Sequence, residues 1–185
     1  MIEKAIGDLS KQDRKVLKVM AEKHSAILEV GVGASTQILT HYAKGNVVSY
    51  DTDQCWIERI RDVVFPQVGV EGECEFRLLD YRMNIQGQYD FAFIDCAREY
   101  RLPSAFEAWK LLTPGGCIAF HDTRRDRDIE NTMRFVGALF REIGRIECNF
   151  EDSNITIIWK RPKTAKYINW HKGQTDEQLG IEWLK

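Results

Sequence analysis

The stretch AILEVGVGAST, residues 26–36, decides how the whole chain reads. AILEV is a short apolar run ending at Gly31, as expected of a strand buried on both faces. Gly31 and Gly33 permit a tight turn and let a ligand approach the backbone. Ser35 opens a helical stretch, STQILTHYA, and with Thr36 offers hydroxyl and N–H groups suited to a carboxylate or phosphate. A dinucleotide fingerprint would want a third small residue where Thr36 stands, and no G-K-[ST] follows to make a P-loop. Glu29 reads as an acid facing the site, repelling a pyrophosphate and welcoming an ammonium. A ligand with a ribose, an amino group and a carboxylate therefore fits better than NAD.

Outward from this unit, strand and helix alternate. A helix is predicted over 9–23, a strand at VVSY (47–50), and a helix over 54–65 ending before Pro66. CEFRLL (74–79) and DFAFI (90–94) read as strands running into Asp80 and Asp95. A helix over 103–112 takes Pro103 into its first turn, and T-P-G-G then turns the chain into the strand CIAFH (117–121). Residues 128–142 suit a helix, and RIECNF with NITIIWK forms a closing hairpin that places one antiparallel strand at the sheet edge. The fold class is α/β: one Rossmann-like domain over residues 1–160, with a seven-stranded, mostly parallel sheet, a C-terminal antiparallel hairpin and helices on both faces. A polar tail over 161–185, packed or mobile, carries Trp170 and Trp183.

In such a sheet ligands bind beyond the carboxyl ends of the strands. Those ends carry Glu29, Asp51, Asp80, Asp95 and the pair His121-Asp122, so five successive strands deliver carboxylates to one rim. Asp51 stands where an acid accepts hydrogen bonds from ribose hydroxyls, Asp80 is placed to reach an adenine edge, and Asp53 reads as a helix cap.

Composition excludes other classes. The chain has 185 residues, 44% hydrophobic and 29% charged, which fits one domain with a full core. A net charge of -2 gives no overall attraction to nucleic acid or an anionic membrane. No apolar run approaches the ~18 residues of a membrane span, and no secretory signal is visible. Five widely spaced cysteines without a C-x-x-C pair favour reduced thiols and a cytoplasmic location.

ILEVGVGAST, VVSYDTD, RLLDY, YDFAFIDCAREY and LLTPGGCIAFHD together resemble the successive motifs of class I S-adenosylmethionine-dependent methyltransferases. The resemblance implies that Glu29, Gly31, Gly33, Ser35 and Thr36 surround the methionine part of S-adenosyl-L-methionine, with Asp51 on the ribose, Asp80 near the adenine and Asp95 beside the cofactor. F-I-D-x-x-x-x-Y followed by H-D is similar to metal-dependent small-molecule O-methyltransferases, especially those acting on macrolide sugars. That likeness implies Mg²⁺ on Asp95 and Asp122, orienting an acceptor hydroxyl and lowering its pKa.

The chain departs from the group at Arg98, where the sugar-modifying enzymes have a histidine base. A guanidinium stays protonated at neutral pH. Three readings follow: His121 is the base, the metal alone suffices, or Arg98 binds an anionic group of the acceptor. Arg124 and Arg125, in the run TRRDRD, are candidates for the same anionic contact. With no cap domain or long insertion, a homodimer is expected to help complete the acceptor site. The expected activity is methyl transfer to a hydroxyl of a small molecule. The rivals are a metal-independent methyltransferase acting on nitrogen, protein or RNA, and a non-catalytic module that keeps the cofactor pocket.

Overall fold

The computed structural model describes residues 5–148 and 153–162. Its elements are α1 (Lys11–Lys23), β1 (Ala26–Val30), α2 (Ala34–Tyr42), β2 (Asn46–Asp51), α3 (Gln54–Arg59), α4 (Phe65–Val68), β3 (Cys74–Leu78), β4 (Tyr89–Ile94), α5 (Arg98–Leu111), β5 (Leu112–Phe120), α6 (Asp126–Leu139), β6 (Ile143–Cys148) and β7 (Thr156–Lys160). The strands form one sheet in the order β3-β2-β1-β4-β5-β7-β6. β1 to β5 pair in parallel, and β7 is antiparallel to both β5 and β6. The antiparallel strand is thus inserted inside the sheet, and the edge expected for it belongs to β6. Insertion buries Ile157 and Ile158 on the two faces, which an edge position would leave partly open.

The apolar strands lack polar alternation because both faces are covered. Ile27, Phe91, Phe93 and Ala119 pack beneath α1 and α2, through Leu17, Met20, Ile38 and Leu39. Leu28, Val30, Ala92, Ile94 and Phe120 face Ala105, Ala108 and Trp109 of α5 and Phe135 of α6. α1 starts at a capping box, Ser10 with Asp13. No helix among the described residues is long and apolar enough to cross a membrane.

Two helices differ from expectation at proline. The helix from Gln54 does not stop before Pro66: a π-helical stretch, Ile60–Val64, carries it into α4, which ends at Gly69 in the left-handed conformation. A π turn shifts hydrogen bonding by one residue, so the proline's missing N–H leaves less of a break. α5 starts at Arg98, five residues before Pro103, which lies inside it. Pro103 costs the bond to the carbonyl of Glu99, an exposed residue whose oxygen water can satisfy. The tail with Trp170 and Trp183 lies outside the described residues.

Candidate functional site

Two clusters meet at the carboxyl ends of β1, β2, β4 and β5. In the first, the chain turns at Gly31, whose N–H donates to the Tyr50 carbonyl (2.8 Å) while the Asp95 N–H donates to the Val30 carbonyl (2.8 Å). Asp51 accepts from the Val32 N–H (2.8 Å) and the Asp53 N–H (3.0 Å), so the end of β2 holds the glycine turn. Trp56 donates from Nε1 to the Val32 carbonyl (2.7 Å), pinning the same residue from its other side. Gln37, fully buried, ties the turn to the N-terminal segment by donating to the carbonyls of Gly33 and Ile6 and accepting from the Ile6 N–H. Neither Trp56 nor Gln37 stood out in the sequence. A Cβ placed on Gly33 would meet nothing within 4 Å, so this flank of the turn opens on free space.

The expected hydroxyls behind this turn point inward. Thr36 Oγ1 accepts from the Gly33 N–H (2.7 Å), and Ser35 and Thr36 are buried. Glu29 is 0% exposed, accepts from the Ser49 hydroxyl (2.6 Å), and leaves Oε1 without a hydrogen-bond partner. It does not face open space as the sequence suggested, because Leu28 and Val30 occupy one face of β1 and alternation sends Glu29 beneath α2. Burial raises its pKa to about 7, outweighing the Ser49 hydrogen bond and the nearby Ser35 and Thr36 hydroxyls, which act in the opposite direction. Asp80, exposed, accepts from the Arg82 N–H (2.9 Å) and so shapes its own turn.

The second cluster lies at the ends of β4 and β5. His121 is 5% exposed, with Nδ1 3.1 Å from Asp95 Oδ2 and 3.6 Å from Asp122 Oδ1, and Nε2 3.5 Å from Asp13 Oδ2. Neither ring nitrogen is aligned for a full hydrogen bond, although three carboxylates surround it. Burial alone would lower the imidazole pKa, but Asp13, Asp95 and Asp122 together raise it to about 9. The three carboxylates thus favour the protonated ring, and His121 serves as a base only where that proton has been lost. Asp13 is held well below the usual carboxylate range: burial opposes this, and contacts with His121, Ser10, Asn154 and Ser153 outweigh it. Asp122 adopts φ 60, a left-handed conformation uncommon for a non-glycine residue. Its carboxylate accepts from Asn154 Nδ2 (2.9 Å) and pairs with Arg125 Nη1 (2.6 Å).

Arg98 is absent from this cluster. Its side chain is 59% exposed and pairs with Glu130 of α6 at 3.2 Å, because the start of α5 turns it away from the rim. An exposed pair of this kind contributes little. Arg98→Ala is expected to change stability by less than ~0.5 kcal/mol in urea unfolding and to leave ligand affinity within about twofold. A large loss of either would return Arg98 to the site. Arg101, which the sequence reading passed over, is buried among Asp95, Asp122 and Asp128 instead.

Between the start of α1 and the end of β5 lies a cleft of about 390 Å³, where His121, Arg124 and Arg125 face Asp8 and Ser10. The Arg124 N–H donates to Asn154 Oδ1 (2.8 Å), so the loop before β7 holds the backbone at Arg124.

The first cluster suits the cofactor implied by the motifs, since the open flank of Gly33 adjoins a carboxylate-tipped strand end. The second does not suit Mg²⁺. One atom each of Asp95, His121 and Asp122 lie within 4.8 Å of one another. However, the Arg101 guanidinium already stands against both carboxylates, 3.0 Å from Asp95 Oδ1 and 3.6 Å from Asp122 Oδ2.

Comparison of the sequence with protein-family models and with curated proteins finds no match. Solved structures do match. An O-methyltransferase from Bacillus cereus in complex with SAH superposes with a TM-score of 0.65 at 20% identity, covering 84% of this chain and 84% of that one. The O-methyltransferase TomG from Streptomyces achromogenes, involved in tomaymycin synthesis and solved with SAM, gives 0.63 at 19% identity, covering 83% and 82%. A SAM-dependent O-methyltransferase from Thermotoga maritima gives 0.67 at 13% identity, covering 86% of this chain and 68% of that one. With the strand order and the inserted antiparallel β7, these likenesses show that the chain has the Rossmann-like fold of class I SAM-dependent methyltransferases.

Proposed function

We propose that the protein is an S-adenosylmethionine-dependent methyltransferase acting on a hydroxyl of a small acceptor that carries an anionic group. The observation that carries the reading is Asp51, held on the Val32 N–H beside the open flank of Gly33 at the carboxyl edge of this fold. S-adenosylmethionine supplies a methyl group on a sulfonium centre, already a good leaving group, so orientation and proton removal are what remain for the protein.

Asp51 is the group for ribose hydroxyls, since each of its oxygens accepts one backbone N–H and keeps capacity for another donor. Gly33 leaves room for the ligand's backbone approach. Glu29 lies enclosed beneath α2, so its influence on a ligand ammonium is electrostatic, through the turn, and not a direct contact. On the acceptor side, Arg124 and Arg125 offer donors for a carboxylate or phosphate at a cleft that Asp8, Asp13 and Asp122 also line, Arg125 being paired with Asp122. Asp95 links the two clusters, its backbone against the turn at Gly31 and its carboxylate against His121 and Arg101. With both of its oxygens facing cations, it holds the two clusters together and is not a free base.

Calorimetric titration with S-adenosylhomocysteine, with NADH as the control ligand, tests the cofactor part. Micromolar binding of the first and none of the second is expected, and failure of S-adenosylhomocysteine to bind overturns the reading. If it binds but no methyl group reaches any hydroxylated anionic acceptor, the chain is a cofactor-binding module rather than an enzyme.

A further inference from the structure

We propose that Arg101 is a built-in cation that takes the station of a divalent metal between Asp95 and Asp122, leaving the site closed to metal ions. Nη2 lies 3.0 Å from Asp95 Oδ1 and 3.6 Å from Asp122 Oδ2, while Nε lies 3.7 Å from Asp128 Oδ1. The guanidinium also donates from Nε to the Cys96 carbonyl (2.8 Å) and from Nη1 to the His121 carbonyl (2.7 Å). The His121 carbonyl directly follows β5, and the Cys96 carbonyl lies two residues past β4. One side chain, 5% exposed, therefore straps the two strand ends together and balances their acids.

The placement follows from local structure. Arg101 sits in the first turn of α5, its N–H bonded to the Ala97 carbonyl (3.2 Å). Helical side chains lean toward the helix N-terminus, so a long side chain here lies back over the rim. Arginine suits the station because its planar fork can address two carbonyls and two carboxylates at once, whereas an ammonium cannot span them. The remaining charges are matched as well: Arg125 pairs with Asp122, and Arg127 pairs with Asp128 at 3.1 Å. A divalent ion placed between Asp95 and Asp122 would meet the guanidinium at contact distance and find both carboxylates already engaged. The inference rests on these contacts and stands whether or not methyl transfer is the reaction.

The test is Mn²⁺ binding followed by electron paramagnetic resonance, on the full chain. Wild-type protein is expected to bind no Mn²⁺ at its Asp95–Asp122 station up to millimolar concentration. Its melting temperature and S-adenosylhomocysteine affinity should be the same in EDTA and in millimolar Mg²⁺. Arg101→Met, which removes the cation and leaves the acids, is expected to bind one Mn²⁺ at least about a hundredfold more tightly, and to gain thermal stability with Mg²⁺. Adding Asp95→Asn should remove that gain. Arg101→Lys keeps a positive charge and should still exclude the ion. Stoichiometric Mn²⁺ binding to wild type that Asp122→Asn abolishes would overturn the proposal, as would a folded Arg101→Met protein with no gain. Should Arg101→Met fold only with Mg²⁺ present, that rescue supports it. If it folds in neither condition, the wild-type titration decides.

Discussion

Alanine at position 31 is expected to destabilise the protein by about 4 kcal/mol, enough to unfold a large fraction of it. Gly31 has φ +107, and a Cβ there would lie 2.2 Å from the Asp95 carbonyl oxygen, 2.4 Å from its carbon and 2.8 Å from the Cys96 nitrogen. All three are backbone atoms, so no rotamer change relieves the overlap. The loop cannot retreat easily, because the Gly31 N–H is bonded to the Tyr50 carbonyl and the neighbouring Val30 carbonyl to the Asp95 N–H. The unfavourable φ contributes about 1–3 kcal/mol, and displacing the end of β4 supplies the rest. Urea unfolding measures the effect; a Gly31→Ala protein of wild-type stability would mean that the turn and β4 are not in contact. Gly33→Ala is the matching control. Its Cβ meets nothing in the protein, so stability should change by less than ~1 kcal/mol while S-adenosylhomocysteine affinity falls at least about tenfold. Those two outcomes together would assign one glycine to the fold and the other to the ligand.

The contrast between these glycines was not visible in the sequence, although the turn they build was. The parallel core of the sheet and its rim could be read because its central strands are short apolar runs that end at glycine or an acid, as AILEV does before Gly31 and DFAFI before Asp95. What failed was the treatment of prolines as boundaries. Pro66 and Pro103 both lie inside continuing helices, one after a π stretch and the other near an exposed first turn. The position of β7 inside the sheet could not be read either, since a hairpin's local pattern does not say which of its strands pairs outward.

At the site, Arg98 drew notice because of its spacing from Asp95, yet spacing in a linear motif does not fix the direction of a side chain. Arg98 opens α5 and points toward Glu130, whereas Arg101, a turn later, lies back over the rim. Helical geometry, applied to both arginines, could have separated them. Glu29 could have been placed by a similar argument. Its neighbours Leu28 and Val30 take one face of β1, which sends Glu29 to the other, opposite Ser49 in the register with β2.

That buried acid yields a prediction with an unusual sign. Glu29→Gln is expected to stabilise the protein at pH 8 by roughly 1–3 kcal/mol, and to have little effect at pH 4. Burial raises the folded-state pKa from the ordinary carboxylate range to about 7, so the native state holds its proton more tightly than the unfolded chain. Stability from this group is fully present below the unfolded value and is lost as pH rises from there through about 7. Above that pH a fully buried carboxylate is ionised, with one oxygen lacking any hydrogen-bond partner. Glutamine keeps an acceptor for the Ser49 hydroxyl and removes the charge, while its two amide hydrogens need acceptors among Ser35, Thr36 and Ser49, hence the lower end of the range. Urea unfolding of both proteins at pH 4 and pH 8 measures the difference. Equal stability at both values would show that the carboxylate is already neutralised in the native state. If the charge serves an ammonium group of the cofactor, the more stable Glu29→Gln protein should bind S-adenosylhomocysteine more weakly at pH 8. A gain in stability coupled to a loss in affinity would identify a buried charge retained for its ligand. A gain in stability with unchanged affinity would confine Glu29 to the packing beneath α2.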